Sequence, residues 1–169
     1  MGKLAFISEL PFNGKVGRNH PHMRTEFAQF CVLEADHYCY TNISMMRSYE
    51  HIILLISKSD VIRNWLLDSP DLVSDLRKNG NKIWFMQEST AQIYHKFELQ
   101  HQIRHCNLLQ EVDGILTENV TDYNYFKGIV GDSKDVHTIP TLIIADNFME
   151  LRNTIKDDKT MIGGVFHIQ

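Results

Sequence analysis

The chain reads as a single α/β domain with an open, mostly parallel Rossmann-like sheet and helices on both faces. Three observations predict this. Strand-like and helix-like segments alternate along the chain, as βα crossover units do. Four strand-like runs, 3–8, 51–57, 82–87 and 114–118, are apolar on both alternations, as strands covered on two faces must be. The length of 169 residues suits one sizeable core and is short for two full domains, so 1–169 is expected to be one unit.

Each element has its own signal. "KLAFISEL" opens the chain with an apolar strand, and the Gly-containing, basic segment "NGKVGRNHPH" (13–22) reads as a loop leaving its carboxyl end. In residues 22–34, Met23, Phe27, Phe30 and Cys31 recur at helical spacing, with Asn19 or His20 as cap and Pro21 at the first position, where a missing N–H costs nothing. "HYCYTN" (37–42) is strand-like, and "HIILLIS" (51–57) is a continuous apolar strand.

"DVIRNWLL" and "PDLVSDLRKNG" read as two helical pieces broken at Ser69-Pro70, with Gly80 ending the second. "KIWFMQ" (82–87) is the next strand, followed by a long polar helix over about 90–110. "GILTEN" (114–119), the helix "TDYNYFKGIVG" and the strand "HTIPTLI" (137–143) complete the regular pattern. A helix over 147–155, a charged turn "KDDK" and a strand-like tail at 160–169 follow. That tail would expose an apolar edge at Met161, Ile162, Val165, Phe166 and Ile168. It is therefore expected to pack on its own sheet or on another subunit, which brings a homo-oligomer into view.

Composition narrows the partners. A formal charge of −4 provides no global basic field for nucleic acid, so any anion site must be local. The three cysteines, Cys31, Cys39 and Cys106, are far apart and odd in number, which suits reduced thiols in the cytoplasm of a cell, including one infected by a phage. The longest apolar run, "IILLI" at 52–56, falls far short of a bilayer span, and no signal peptide is evident.

Ligands of such sheets bind beyond the carboxyl ends of the strands, near the switch in strand order. The opening loop leaves the first such end. It matches neither the Walker pattern nor G-x-G-x-x-G. Its two glycines, Lys15, Arg18 and the N–H groups of a helix start suit an anion or a polyhydroxyl group; a solvated loop is the plainer alternative. Asn13, Gly14, Lys15, Gly17, Arg18 and His20 are its candidate binding residues.

The strand at 82–87 ends in "QES". Glu88 there can take a proton from a substrate hydroxyl or hydrogen-bond a sugar, with Gln87 and Ser89 beside it; the other reading is a helix N-terminal carboxylate with a Ser89 or Thr90 cap. Glu118 in "TEN" lies at a second polar strand end, where a cap for the next helix is the stronger reading. "HPH" (20–22) lacks further ligands for a metal. "HQIRH" (101–105) has Gln102 where a zinc protease needs its glutamate, and reads instead as a solvent-facing Gln/His-rich helix face. No metal and no cofactor are expected.

Taken together, the strand ending in "QES", the long polar helix, Val112-Asp113, the strand end at 116–119, the aromatic pair Tyr125-Phe126 and the strand at 137–140 ending in "IP" resemble the N-terminal Rossmann-like half of a GT-B glycosyltransferase of phage or bacterial type. The Gly-containing turn after the first strand fits the same pattern. The resemblance implies an acceptor-side domain, with Glu88 as base or acceptor-orienting group. It also implies that sugar transfer from a nucleotide-sugar needs a donor-binding half, in a partner or a further domain. "MIGGVFHIQ" is similar to the first strand of that second half. A non-catalytic binding or regulatory module on the same fold is the rival from another class, since one fold hosts many functions. A single-domain nucleotide-binding enzyme is a third reading, and the missing glycine fingerprints count against it.

Overall fold

A computed structural model describes residues 3–17, 20, 25–56, 60–87 and 95–139. Seven strands, β1 (Leu4–Ser8), β2 (Asn13–Lys15), β3 (Asp36–Cys39), β4 (His51–Ile56), β5 (Lys82–Gln87), β6 (Gly114–Thr117) and β7 (Asp135–Thr138), form one sheet. Between them lie α1 (Thr25–Val32), a 3-10 segment at Tyr40–Ser48, α2 (Asp60–Leu67), α3 (Leu72–Arg77), α4 (Leu99–Glu111) and α5 (Val120–Val130). The spatial order is β2-β3-β1-β4-β5-β6-β7, with every pairing parallel except β2 with β3. The fold is therefore the α/β, mostly parallel sheet that the alternation predicts, and the four doubly apolar runs lie side by side at its centre.

Strand alternation sorts the core into two layers. Ala5, Ile7, Ile52, Leu54, Ile56, Ile83, Phe85 and Ile115 face one side, where they pack on apolar residues of α2, α3, α4 and α5, such as Ile62, Val73, Leu108 and Phe126. Phe6, Ile53, Leu55, Met86 and Leu116 face the other, where the described helices contribute residues from α1 alone, Phe30 and Cys31. Each fully buried side chain of this size contributes roughly 1.5–3 kcal/mol, so the central strands hold most of the stability. Arg104 ties α4 to the end of α2: its guanidinium donates to the Leu66 and Ser69 carbonyls, both at 3.2 Å, and bonds Glu111 at 2.9 Å. The Ser69 carbonyl also accepts the Leu72 N–H at 3.2 Å, so this contact joins α4 to the turn between α2 and α3.

Several boundaries differ from the sequence expectation. The segment at 13–22 is not a plain loop, because Asn13, Gly14 and Lys15 pair with Tyr38, His37 and Asp36 as an edge strand. The strand expected at 37–42 stops at Cys39. There the Asn13 side-chain oxygen accepts the Cys39 N–H at 3.3 Å and the Asn42 amide at 2.9 Å, and the chain turns into the 3-10 segment. Helix α4 begins only at Leu99, after an extended Glu98. The expected helix at 147–155 and tail at 160–169 lie outside the described residues. Among the described residues no helix is long and apolar enough to cross a membrane.

Candidate functional site

The chain leaves β1 toward β3 on one side and later returns to β4 on the other. The switch point is thus the crevice beyond the carboxyl ends of β1 and β4, where such sheets bind ligands. Polar residues gather along this edge. Ser8, Gln87 and Thr117 are the last residues of β1, β5 and β6, each preceded by apolar residues, and they are only 2%, 6% and 2% exposed.

A hydrogen-bonded chain of three side chains starts at Ser8. Its Oγ accepts the Leu10 N–H at 3.1 Å and lies 2.8 Å from Nε2 of His37, whose Nδ1 is 3.0 Å from Nε2 of His20. His37 is wholly buried, stacked at 4.5 Å on Phe6, and His20 packs on Phe12 at 4.0 Å. With a neutral His37 ring the tautomer sets the direction: either Ser8 donates to Nε2 and Nδ1 donates to His20, or both donations reverse.

Two further groups are incompletely bonded. Glu9, next to Ser8 at the switch point, has a carboxylate oxygen that is inaccessible and has no hydrogen-bond partner. Gln29 of α1 is 1% exposed; its Nε2 donates to Met86 Sδ at 3.8 Å, and its Oε1 has no partner among the described residues. A buried polar group left this way costs about 1–3 kcal/mol.

The residues predicted from sequence divide between two places. His20, Gln87 and Glu118 lie with this edge, Gln87 and Glu118 being one and two residues beyond the Met86–Leu116 register pair. Asn119 caps α5 by accepting the Asp122 N–H at 2.9 Å, as expected of "TEN". β2 carries the chain away from this edge, so Lys15 sits at the amino end of β3, where its Nζ pairs with Glu34 at 3.5 Å in solvent. Asn13 is spent on the Cys39 and Asn42 contacts, Gly14 adopts φ +135°, and the Gly17 carbonyl accepts the His20 N–H at 3.0 Å. Arg18, Glu88 and Ser89 lie outside the described residues.

Sequence reasoning missed Ser8, Glu9, Gln29, His37 and Thr117. The signal for Ser8 and Glu9 is the first polar pair after the run "LAFI"; His37 carries none, since its partners are distant in the chain. The expectation for "HQIRH" is overturned at His105. That ring is 2% exposed and packs edge-on against Phe85 at 5.4 Å and beside Phe126 at 6.2 Å; loss of hydration there drives its pKa down to about 3. The face carrying it is core because α4 must cover Phe85 and Phe126. Among the described residues no group of three or more His, Cys, Asp or Glu side chains could hold a metal ion. Comparison with known proteins finds no matching family model, no matching curated protein and no matching solved structure.

Proposed function

We propose that the domain binds a small hydroxyl-rich or anionic molecule in the crevice beyond β1 and β4, as the acceptor-side half of a GT-B-type glycosyltransferase would. The observation that supports this is the polar carboxyl edge of an otherwise apolar parallel sheet, with Glu9 holding an unpartnered carboxylate oxygen at the switch point. The Glu9 carboxylate is the acceptor assigned to a ligand hydroxyl, and the adjacent Ser8 is held in place by its bonds to His37 and the Leu10 N–H. Transfer from a nucleotide-sugar would need a donor-binding unit to complete the crevice, and Glu88 remains the sequence-based candidate for the base. Binding without turnover is the second reading. The near-complete burial of Ser8 and His37 favours it, because inaccessible groups position a ligand or its pocket rather than attack it.

The test is a titration of the full chain against sugars, sugar phosphates, nucleotides and nucleotide-sugars by calorimetry. A charge-assisted hydrogen bond contributes about 1.5–3 kcal/mol, and about 1.4 kcal/mol is tenfold in Kd. Glu9→Gln is therefore expected to weaken binding of the captured ligand about tenfold or more, and Lys15→Ala to leave it unchanged. Binding lost in Lys15→Ala and kept in Glu9→Gln would move the site to the other edge of the sheet. Sugar transfer by the isolated chain would remove the need for a donor-binding partner.

A further inference from the structure

A second cavity lies away from the crevice. Helix α2 descends from the carboxyl end of β4 and α3 leads into the amino end of β5, so the turn between them lies toward the amino edge of the sheet. A cavity of about 340 Å³ opens between this turn and the 3-10 segment, at the lower end of the range of roughly 300–1,000 Å³ typical of small-molecule sites. Trp65, Pro70 and Leu72 give it apolar surface, and Trp65 packs on Tyr40 at 5.5 Å between ring centroids. Its charges divide by element: Arg47 comes from the 3-10 segment, Asp68 and Asp71 from the turn. Asp75, also in its wall, is already taken by Lys78 at 2.5 Å.

The two turn carboxylates stand where the fold gains little from them. Asp68 follows the last residue of α2, where the negative end of the helix dipole opposes a carboxylate. Asp71 directly precedes α3, yet its side chain makes no cap hydrogen bond. Among the described residues neither carboxylate has an ion pair or hydrogen bond, and neither has the Arg47 guanidinium. The turn itself is braced, because Arg104 donates to the Leu66, Ser69 and Pro70 carbonyls at 3.2, 3.2 and 3.4 Å and is held by Glu111 at 2.9 Å. Charges fixed in this way meet a ligand with little ordering cost. We infer that this cavity binds a free α-amino acid with an apolar side chain: Asp68 and Asp71 take its ammonium group, Arg47 its carboxylate, and Trp65 with Leu72 its side chain. A guanidinium matches a carboxylate with two parallel hydrogen bonds. A simple amine or a simple acid would leave one of the two walls unmatched. This inference is independent of the proposed ligand site, which lies at the carboxyl edge of the sheet.

Calorimetric titration of the full chain with L-phenylalanine, its amide and its N-acetyl derivative tests this, because the derivatives remove one charge each. Phenylalanine is expected to bind, and each derivative to bind about tenfold more weakly or worse, the loss of one charge-assisted hydrogen bond. Arg47→Gln should close the gap between phenylalanine and its amide while keeping the gap to the N-acetyl derivative. Asp68→Asn with Asp71→Asn should do the reverse. These gaps are ratios of affinities within one protein, so a variant that is only partly folded still reads them. Glu9→Gln, at the other edge of the sheet, should leave all three affinities unchanged. Failure of both L-phenylalanine and L-leucine to bind would overturn the inference, as would gaps that none of these variants alters. Binding that is lost in Glu9→Gln would overturn it too, since the amino acid would then sit in the crevice.

Discussion

Ser8 Oγ and His37 Nε2, 2.8 Å apart, join the end of β1 to the buried histidine of β3, and through it to His20. Ser8→Ala removes the hydrogen-bond partner of His37 Nε2 and the acceptor of the Leu10 N–H while leaving both in place. The unfulfilled buried groups should lower stability by about 1–3 kcal/mol. Urea unfolding of the two proteins reads this directly; coincident midpoints would mean that the chain of hydrogen bonds adds nothing to the fold.

The pattern of parallel strands was legible because β1, β4, β5 and β6 write their burial into consecutive apolar residues, and α2 begins and ends within "DVIRNWLL". What escaped was fixed by contacts between distant residues. Nothing local marks Gly14 as strand until Tyr38, His37 and Asp36 come alongside it. Likewise His105 looks polar in "HQIRH", and only the packing of α4 over Phe85 makes it core. The candidate site was half legible. Gln87 and Glu118 are visible as polar ends of apolar runs, whereas the bond from Ser8 to His37 spans a return of the chain that no periodicity encodes.

His105 sets an acid limb on stability. Its folded pKa of about 3 is depressed below the unfolded value near 6.5, so the unfolded chain binds the extra proton first. The contribution is complete above about pH 6.5 and is lost as pH falls toward the folded value, by up to about 1.4 kcal/mol per pH unit. His105→Leu should flatten the fall between about pH 6.5 and 5 relative to the original protein. Parallel pH profiles of the two would place the acid sensitivity elsewhere.

Gly14 and Lys15 are adjacent, yet their substitutions should differ sharply. Gly14 holds φ +135°, which side chains rarely adopt, although nothing lies within 4 Å of a β-carbon placed there. Gly14→Ala should therefore cost about 1–3 kcal/mol through the backbone alone. Lys15→Ala removes only a solvent-exposed pair with Glu34 and should change stability by less than about 0.5 kcal/mol. Thermal melts of both variants check the contrast, and a Gly14→Ala protein as stable as its parent would show that the edge strand yields without strain.

Gly114 presents the opposite case, crowding without conformational strain. A β-carbon at this position would come within 2.8 Å of Trp84 Cε3, and closer still to Cζ3, while also meeting the Asp135 carbonyl at 3.1 Å. The indole has little freedom to retreat, because its Nε1 donates to His51 Nδ1 at 3.2 Å and its ring lies against His137 at 6.0 Å. Overpacking of this kind typically costs about 1–3 kcal/mol. Gly114→Ala is thus expected to lower the urea midpoint and, in the Trp65→Phe background, to shift Trp84 emission as the ring is pushed off β6. Trp84→Leu combined with Gly114→Ala should recover part of that stability, since the shorter side chain vacates the space above Gly114. If the double variant is no more stable than the sum of the single changes predicts, the two residues do not compete for that space.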